Sequence, residues 1–326
     1  MKRRKFVGLW GMSVAIQASP AFAQRELPLV GVVVPGSATQ ASDRIVALRT
    51  GLREAGLVEG VHYTFALRFG DGVADRLPRL ILELGSLKPR VIVSAGIAFL
   101  VKSLLPEVPH VFTAIAIDPM KRGLVDSYAH PGGNVTGNVL TPGGADGSVT
   151  KKRIELFRQL VPNLKRLGFV GTKENALAIE EFDALRSVAG RLDLDLVHHP
   201  IQIIEEIESA VAQSTKDGVD AFYVSGEPLM IANMARTAEA ISASGKPAFG
   251  TLADWARAGL LMSYSSDVLD GFRRAGIYAA RILRGEKPGD LPVEQASKFT
   301  LTLNSGTAKR LGIAVPTTFL ADEVIE

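Results

Sequence analysis

Cysteine is absent from all 326 residues. That excludes disulfides, zinc–thiolate sites and thiol catalysis, and it leaves no thiol to carry a lipid anchor. Aromatic residues make up only 6% of the chain. No apolar run beyond the N-terminus is long enough to span a bilayer. There is no G-x-S-x-G elbow and no P-loop. The glycines after the first strand lack the third glycine and the following acidic residue of a dinucleotide fingerprint. The pair His198-His199 has no Asp, Glu or Cys at ligand spacing and precedes Pro200, so no metal site is read there and no cofactor is expected.

What is present begins with a leader. Lys2, Arg3, Arg4 and Lys5 form a basic start, Phe6 to Ile16 is a short apolar core, and Ala21-Phe22-Ala23 is a small-x-small cleavage site. This pattern predicts a secretory signal peptide over 1–23, too short and wrongly flanked for a spanning helix. The segment Arg3-Arg4-Lys5-Phe6 leaves two export routes open, general secretory and twin-arginine. The full chain carries 37 basic and 34 acidic residues. Without the four basic residues of the leader the balance is 33 against 34, so a basic nucleic-acid-binding surface is not indicated.

The 32 glycines and the 47% hydrophobic content suit an α/β chain with many strand–helix turns. Leu29–Val34 reads as a buried parallel strand. A helix with Ile45, Leu48, Leu52 and Ala55 follows, with Asp43 as its expected N-cap and Gly56 as its stop. Strands near Tyr63–Arg68, Val91–Val93 and Val111–Thr113 alternate with helices carrying Leu77, Leu80, Ile81 and Leu84 and then the stretch to about Leu105. The segment from Pro131 to Gly137 reads as a glycine-rich loop. Strands at Leu167–Val170, Leu194–Val197, Ala221–Val224 and Ala248-Phe249 restart the alternation, with Ile179, Phe182, Leu185 and Ala189 marking one helix between them. A strand at Leu260–Ser263, a long helix capped by Asp267, the strand Lys298–Asn304 and a last helix Thr307–Leu311 close the chain. The expected fold is α/β, with two Rossmann-like doubly wound units.

Ligands of open α/β sheets bind beyond the carboxyl ends of the strands. Candidates at those ends are Ser37, Ser94-Ala95 and Thr113 in the first unit, and Thr172, Ser225 and Glu227 in the second. Asn134 and Thr136 belong to the glycine-rich loop. Ser94-Ala95-Gly96 is either a helix cap or a carboxylate cradle of hydroxyl and backbone N–H groups. Glu227 is either a solvated loop carboxylate or the partner of a ligand ammonium, a role that Asp254 could take instead. Phe249 and Tyr264 are either core residues or the apolar floor of a site. Asp118, before Pro119, shapes a turn.

Several segments carry a resemblance. Gly51-Leu52 with Gly56-Leu57-Val58-Glu59-Gly60, Asp118-Pro119 with Gly123-Leu124-Val125, and Pro131-Gly132-Gly133-Asn134-Val135-Thr136-Gly137 resemble segments of the ABC-transporter substrate-binding family that includes the TrpX-type proteins. So do Leu160-Val161-Pro162, Arg274-Ala275-Gly276, Ile282-Leu283-Arg284-Gly285 and Asp290-Leu291-Pro292-Val293. The order holds along nearly the whole chain after the leader. Two departures stand out: Tyr264-Ser265 where the family has Tyr-Gly, and the glycine-rich Pro142–Gly147 at the first crossover.

The resemblance implies a type I periplasmic binding protein: two lobes with a ligand cleft, assigned as 24–140 with 251–288 and 141–250 with 289–326. It further implies a monomeric, periplasmic, non-enzymatic solute catcher that serves an ABC permease. By analogy with amino-acid-binding proteins of this fold, Ser94 and Thr113 are expected to hold a ligand carboxylate. A sensor for a membrane receptor and an exported enzyme are the alternatives.

Overall fold

A computed structural model describes residues 26–140 and 147–326. The expected leader and all but the last residue of the glycine-rich 142–147 segment lie outside them.

The chain opens with β1 (Leu29–Val34), α1 (Ser42–Glu54), β2 (Thr64–Phe69), α2 (Leu77–Ser86), β3 (Val91–Ala95), α3 (Ala98–Leu104), β4 (His110–Ile115) and β5 (Val135–Val139). Then come α4 (Ser148–Leu160), β6 (Arg166–Val170), α5 (Ala176–Ala189), β7 (Asp195–His198), α6 (Ile207–Lys216), β8 (Ala221–Val224), α7 (Pro228–Ala232), α8 (Met234–Ala243), β9 (Ala248–Gly250), α9 (Ala253–Arg257) and β10 (Met262–Ser266). The last elements are α10 (Val268–Leu283), β11 (Glu294–Gln295), β12 (Phe299–Asn304), α11 (Ser305–Arg310) and β13 (Glu323–Ile325).

They form two sheets, one in the order β11-β5-β4-β3-β1-β2 and one in the order β13-β12-β10-β9-β8-β6-β7. All pairs are parallel except β10 with β12. The continuous apolar strands are buried on both faces, as crossover helices require. Val30, Val32, Val91, Val93 and Val111 meet Leu48, Leu52, Phe272, Ala275 and Ala279 in one core. Phe157, Phe169, Leu185, Tyr223 and Phe249 anchor the other.

The sheet memberships differ from the expected division in two places. β10 pairs with β9 and β12, so the chain up to Ser266 stays with the second lobe, and α10 is the part that returns to the first. β11 pairs with β5, so Glu294-Gln295 still belongs to the first sheet. Local pattern cannot say which sheet a strand joins, because that is decided by pairing.

Three local readings are also corrected. Asp43 is not the cap of α1; Ala41 occupies that position without a side-chain bond, and Asp43 lies in the first turn. Val135–Val139 is a buried strand where a loop was expected. Ile179, expected on an apolar helix face, is exposed. By contrast Asp267 does cap α10, its Oδ1 accepting from Asp270 N at 3.0 Å.

Candidate functional site

The carboxyl ends of β1, β2 and β4 face those of β6, β8 and β9 across a cleft. Arg44 on α1 reaches Asp254 on α9, Nη2 to Oδ2 3.2 Å. A Cβ added at Gly72, beyond β2, would lie 3.5 Å from Ala232 Cβ on α7. Glu180 on α5 stands in the field of Arg122, Asp118 and Lys121 from the loop after β4, and burial raises its carboxyl above the usual range. Between the lobes is a cavity of about 400 Å³, bounded by Gly72 and Ala74 on one side and by Thr172, Gln202, Glu227 and Asn233 on the other. That volume suits a small ligand.

Glu227 is the most informative wall residue. It is 1% exposed. Its Oε2 accepts from Leu229 N at 3.1 Å, and its own N donates to Ser225 Oγ at 3.2 Å. Its Oε1 meets no donor at full hydrogen-bonding geometry; the buried Thr172 hydroxyl, itself without another partner, is the group that stands beside the carboxylate. Burial pushes the Glu227 carboxyl up, against the Leu229 N–H and Thr172, which favour the charged form. A buried carboxylate oxygen left unpaired at the wall of a cavity is poised for a donor.

Two neighbours were not found by sequence reasoning. Glu181 on α5 receives Gly226 N–H on both carboxylate oxygens, at 3.3 and 3.0 Å. Burial raises its pKa to about 7, opposed by the Ser225 hydroxyl, the Arg153 guanidinium and the Gly226 N–H, and reinforced by Glu227. Thr251, after β9, has a buried Oγ1 without a partner. The helix periodicity assigns Glu181 to a polar face, and nothing in the local sequence says that this face meets the end of β8. Thr251 follows a strand end, which is the one signal that could have found it.

The other expected site residues lie elsewhere. Ser94 Oγ is 2.7 Å from His110 Nε2, inside the first lobe, and burial holds that imidazole down to about 3, so it stays neutral. Thr113 Oγ1 donates to Asn138 Oδ1 at 2.8 Å, and Asn138 Nδ2 donates to Gly271 O at 2.9 Å. Both hydroxyls therefore fasten the sheet to its own neighbours, and neither borders the cavity. Ala95 is buried in the first core.

Asn134 lies at the amino end of β5, away from the cleft, with Nδ2 on Glu107 O. Thr136 Oγ1 donates to Leu291 O at 2.6 Å. Ser37 is held in a turn with Gln40. Phe249 is fully buried against Phe157 and Tyr223. Tyr264 stacks on Phe299, with centroids 5.4 Å apart, and its carbonyl accepts from Arg153 Nε. Asp254 is taken by Arg44 and Arg257.

One consequence is testable at once. Thr113→Val leaves Asn138 Oδ1 buried without its donor and is expected to cost about 1–3 kcal/mol of stability. A lower denaturant midpoint at unchanged slope is the expected reading. An unchanged midpoint would show that the Asn138 contact contributes nothing.

A profile of the family described as ABC transporter substrate binding protein matches residues 30–324. The chain belongs to that family. Its members are solute-binding proteins, not enzymes, and the two-lobed α/β architecture is that of the type I periplasmic binding proteins. Among relatives of this family member, a tyrosine-binding protein of Clostridioides difficile is 26% identical over 205 residues, which is 63% of this chain and 57% of that protein. The chain thus matches less than two thirds of that relative's length.

Among solved structures, a conserved domain protein of Vibrio cholerae superposes with a TM-score of 0.81 at 24% identity, covering 92% of this chain and 100% of the other. An ABC domain in complex with L-Trp, from Streptococcus pneumonia, superposes with 0.82 at 23% identity over the same shares. At these identities the two structures establish the fold. Among the described residues no helix is long and apolar enough to cross a membrane.

Proposed function

We propose that this substrate-binding protein is exported to the periplasm, works as a monomer, captures a small zwitterionic molecule of the amino-acid kind between its lobes, and hands it to the permease of an ABC importer. The observation that carries this reading is the buried, unpaired Glu227 Oε1 beside Thr172 at the cavity wall. A ligand ammonium is the natural partner for such an oxygen. Tyrosine and tryptophan, named for a relative and for a similar structure, are the first candidates.

The test is thermal unfolding of the purified protein against each of the twenty common amino acids, a panel of sugars and a panel of purines. A cleft ligand at a hundredfold excess over its Kd stabilises by about 2.7 kcal/mol. A clear upward shift with one or a few amino acids is expected. A shift with a sugar or purine and with no amino acid would overturn the reading.

A further inference from the structure

We propose that Arg44 and Asp254 form a clasp at the rim of the cleft, which holds the two lobes shut over the cavity and slows the escape of a captured ligand. Arg44 is then a positioning residue for capture: it acts on the lobes and does not touch the ligand. The inference rests on the cleft being the capture site, and not on which ligand enters it.

Arg44 sits against the preference of its own helix. It lies in the first turn of α1, where the positive end of the helix dipole disfavours a cation. Ala41, Ile45 and Leu48 turn into the core of the first lobe, whereas the Arg44 guanidinium leaves that lobe altogether. It reaches Asp254 Oδ2 at 3.2 Å and makes no other ion pair among the described residues. The contact that offsets the local cost of the cation therefore belongs to the opposite lobe.

Asp254 is prepared on its own side. Its Oδ1 accepts from Arg257 Nη1 at 2.9 Å. Arg257 in turn holds Glu323 on β13, its Nη2 lying 2.9 Å from both carboxylate oxygens. That chain of contacts stays within the second lobe. When the lobes part, Asp254 keeps one partner and Arg44 loses its own. A contact made in one arrangement and absent from the other is what shifts the balance between them. Both side chains are partly exposed, at 23% and 41%, so the pair is worth what a surface ion pair is worth and favours the closed form by about two- to fivefold.

Topology gives this small energy leverage. The chain crosses between the lobes after β5, after β10 and after β11. β11 and β5 lie at one edge of the first sheet, and β1 and β2 at the other. α1 follows β1, and the Gly72 loop, which meets Ala232 across the cleft, follows β2. Rotation about the crossovers separates this rim furthest. Among the described residues, Arg44–Asp254 is the one ion pair that joins the lobes away from the crossovers.

The experiment uses the absence of native cysteine. Leu82 on α2 and Ile203 beyond β7 are exposed and lie on different lobes. Leu82→Cys with Ile203→Cys carries a pair of spin labels, and pulsed electron resonance on the ligand-free protein gives the ratio of short to long distances, which is the ratio of closed to open forms. Arg44→Ala is expected to lower that ratio by about two- to fivefold. Asp254→Asn should do the same, and the double variant should go no further, since each change removes the same contact. Arg44→Glu, which sets two carboxylates face to face, should lower the ratio more. A ratio that no variant shifts, or a double variant in which the two losses multiply, overturns the clasp.

Escape is measured with L-tryptophan as the probe, by stopped flow. Its release from Arg44→Ala is expected to be about two- to fivefold faster than from the wild type, with association unchanged. Equal release rates would overturn the part of the clasp in retaining the ligand. Failure of L-tryptophan and L-tyrosine to bind the wild type would count against the amino-acid reading alone, because the spin-label ratio decides the clasp without a ligand.

Discussion

A Gly276→Ala variant is expected to unfold at a markedly lower denaturant concentration than the wild type, with a loss of about 2–4 kcal/mol. α1 and α10 cross at glycines on both sides. A Cβ at Gly276 would overlap Leu48 O and lie 2.9 Å from Leu52 N and 3.1 Å from Gly51 Cα. A Cβ at Gly51 would overlap Arg273 O in the same way. The opposing atoms are backbone, which cannot swing aside as a side chain does, so the helices must separate. Separation loosens Leu48, Leu52, Phe272, Ala275 and Ala279, all packed in the core of the first lobe. The helix-propensity gain of alanine over glycine, about 1 kcal/mol, offsets only part of this. Gly190, at the end of α5 with φ −61° and open space around it, is the control, where alanine should be neutral or mildly stabilising. A Gly276→Ala protein with the wild-type midpoint would contradict the close crossing.

The second large effect concerns binding. Glu227→Gln is expected to weaken capture of an amino acid by a hundredfold or more, since removing one partner of a buried ion pair costs about 3–5 kcal/mol. Glutamine is the right replacement because its carbonyl oxygen can still accept from Leu229 N and keep the start of α7 capped. Alanine would add the loss of that cap, about 1 kcal/mol, and confuse binding with folding. Calorimetry against the amino acid that stabilises best measures the change. A loss of less than tenfold, roughly 1.4 kcal/mol, would remove Glu227 as the ammonium contact.

The two variants draw on parts of the molecule that differ in how well the sequence announced them. The helices around the first core could be read from apolar spacing alone: Leu77, Leu80, Ile81 and Leu84 are all buried on α2, as their period required. β5 could not. Its five residues include Gly137 and Asn138, which usually mark loops. Gly137 is needed because a side chain there would collide with Phe112 O, and the register between β4 and β5 shifts at this place. Asn138 is tolerated because Thr113 and Gly271 satisfy it. Ser94 and Thr113 were correctly placed on neighbouring strands, but strand order does not fix which way a side chain points. Ser94 lies against His110 and Thr113 against Asn138. Glu227 could be placed at the end of β8, where it lines the cavity, because strand topology and residue type agree there. The contact of Glu181 with Gly226 could not be read because it arises only where a helix packs against a strand end distant in sequence.

The return of α10 to the first lobe has a consequence for the order in which the protein can be completed. A ribosome making this chain from its N-terminus delivers β1 to β5 first, yet the helix that seals their apolar face is encoded only after nearly all of the second lobe. The strand at the edge of that sheet, β11, comes later still. A nascent chain therefore carries Val30, Val91 and Val111 without their cover through most of its synthesis. Neither lobe can be released as a finished half by cutting the chain at one point.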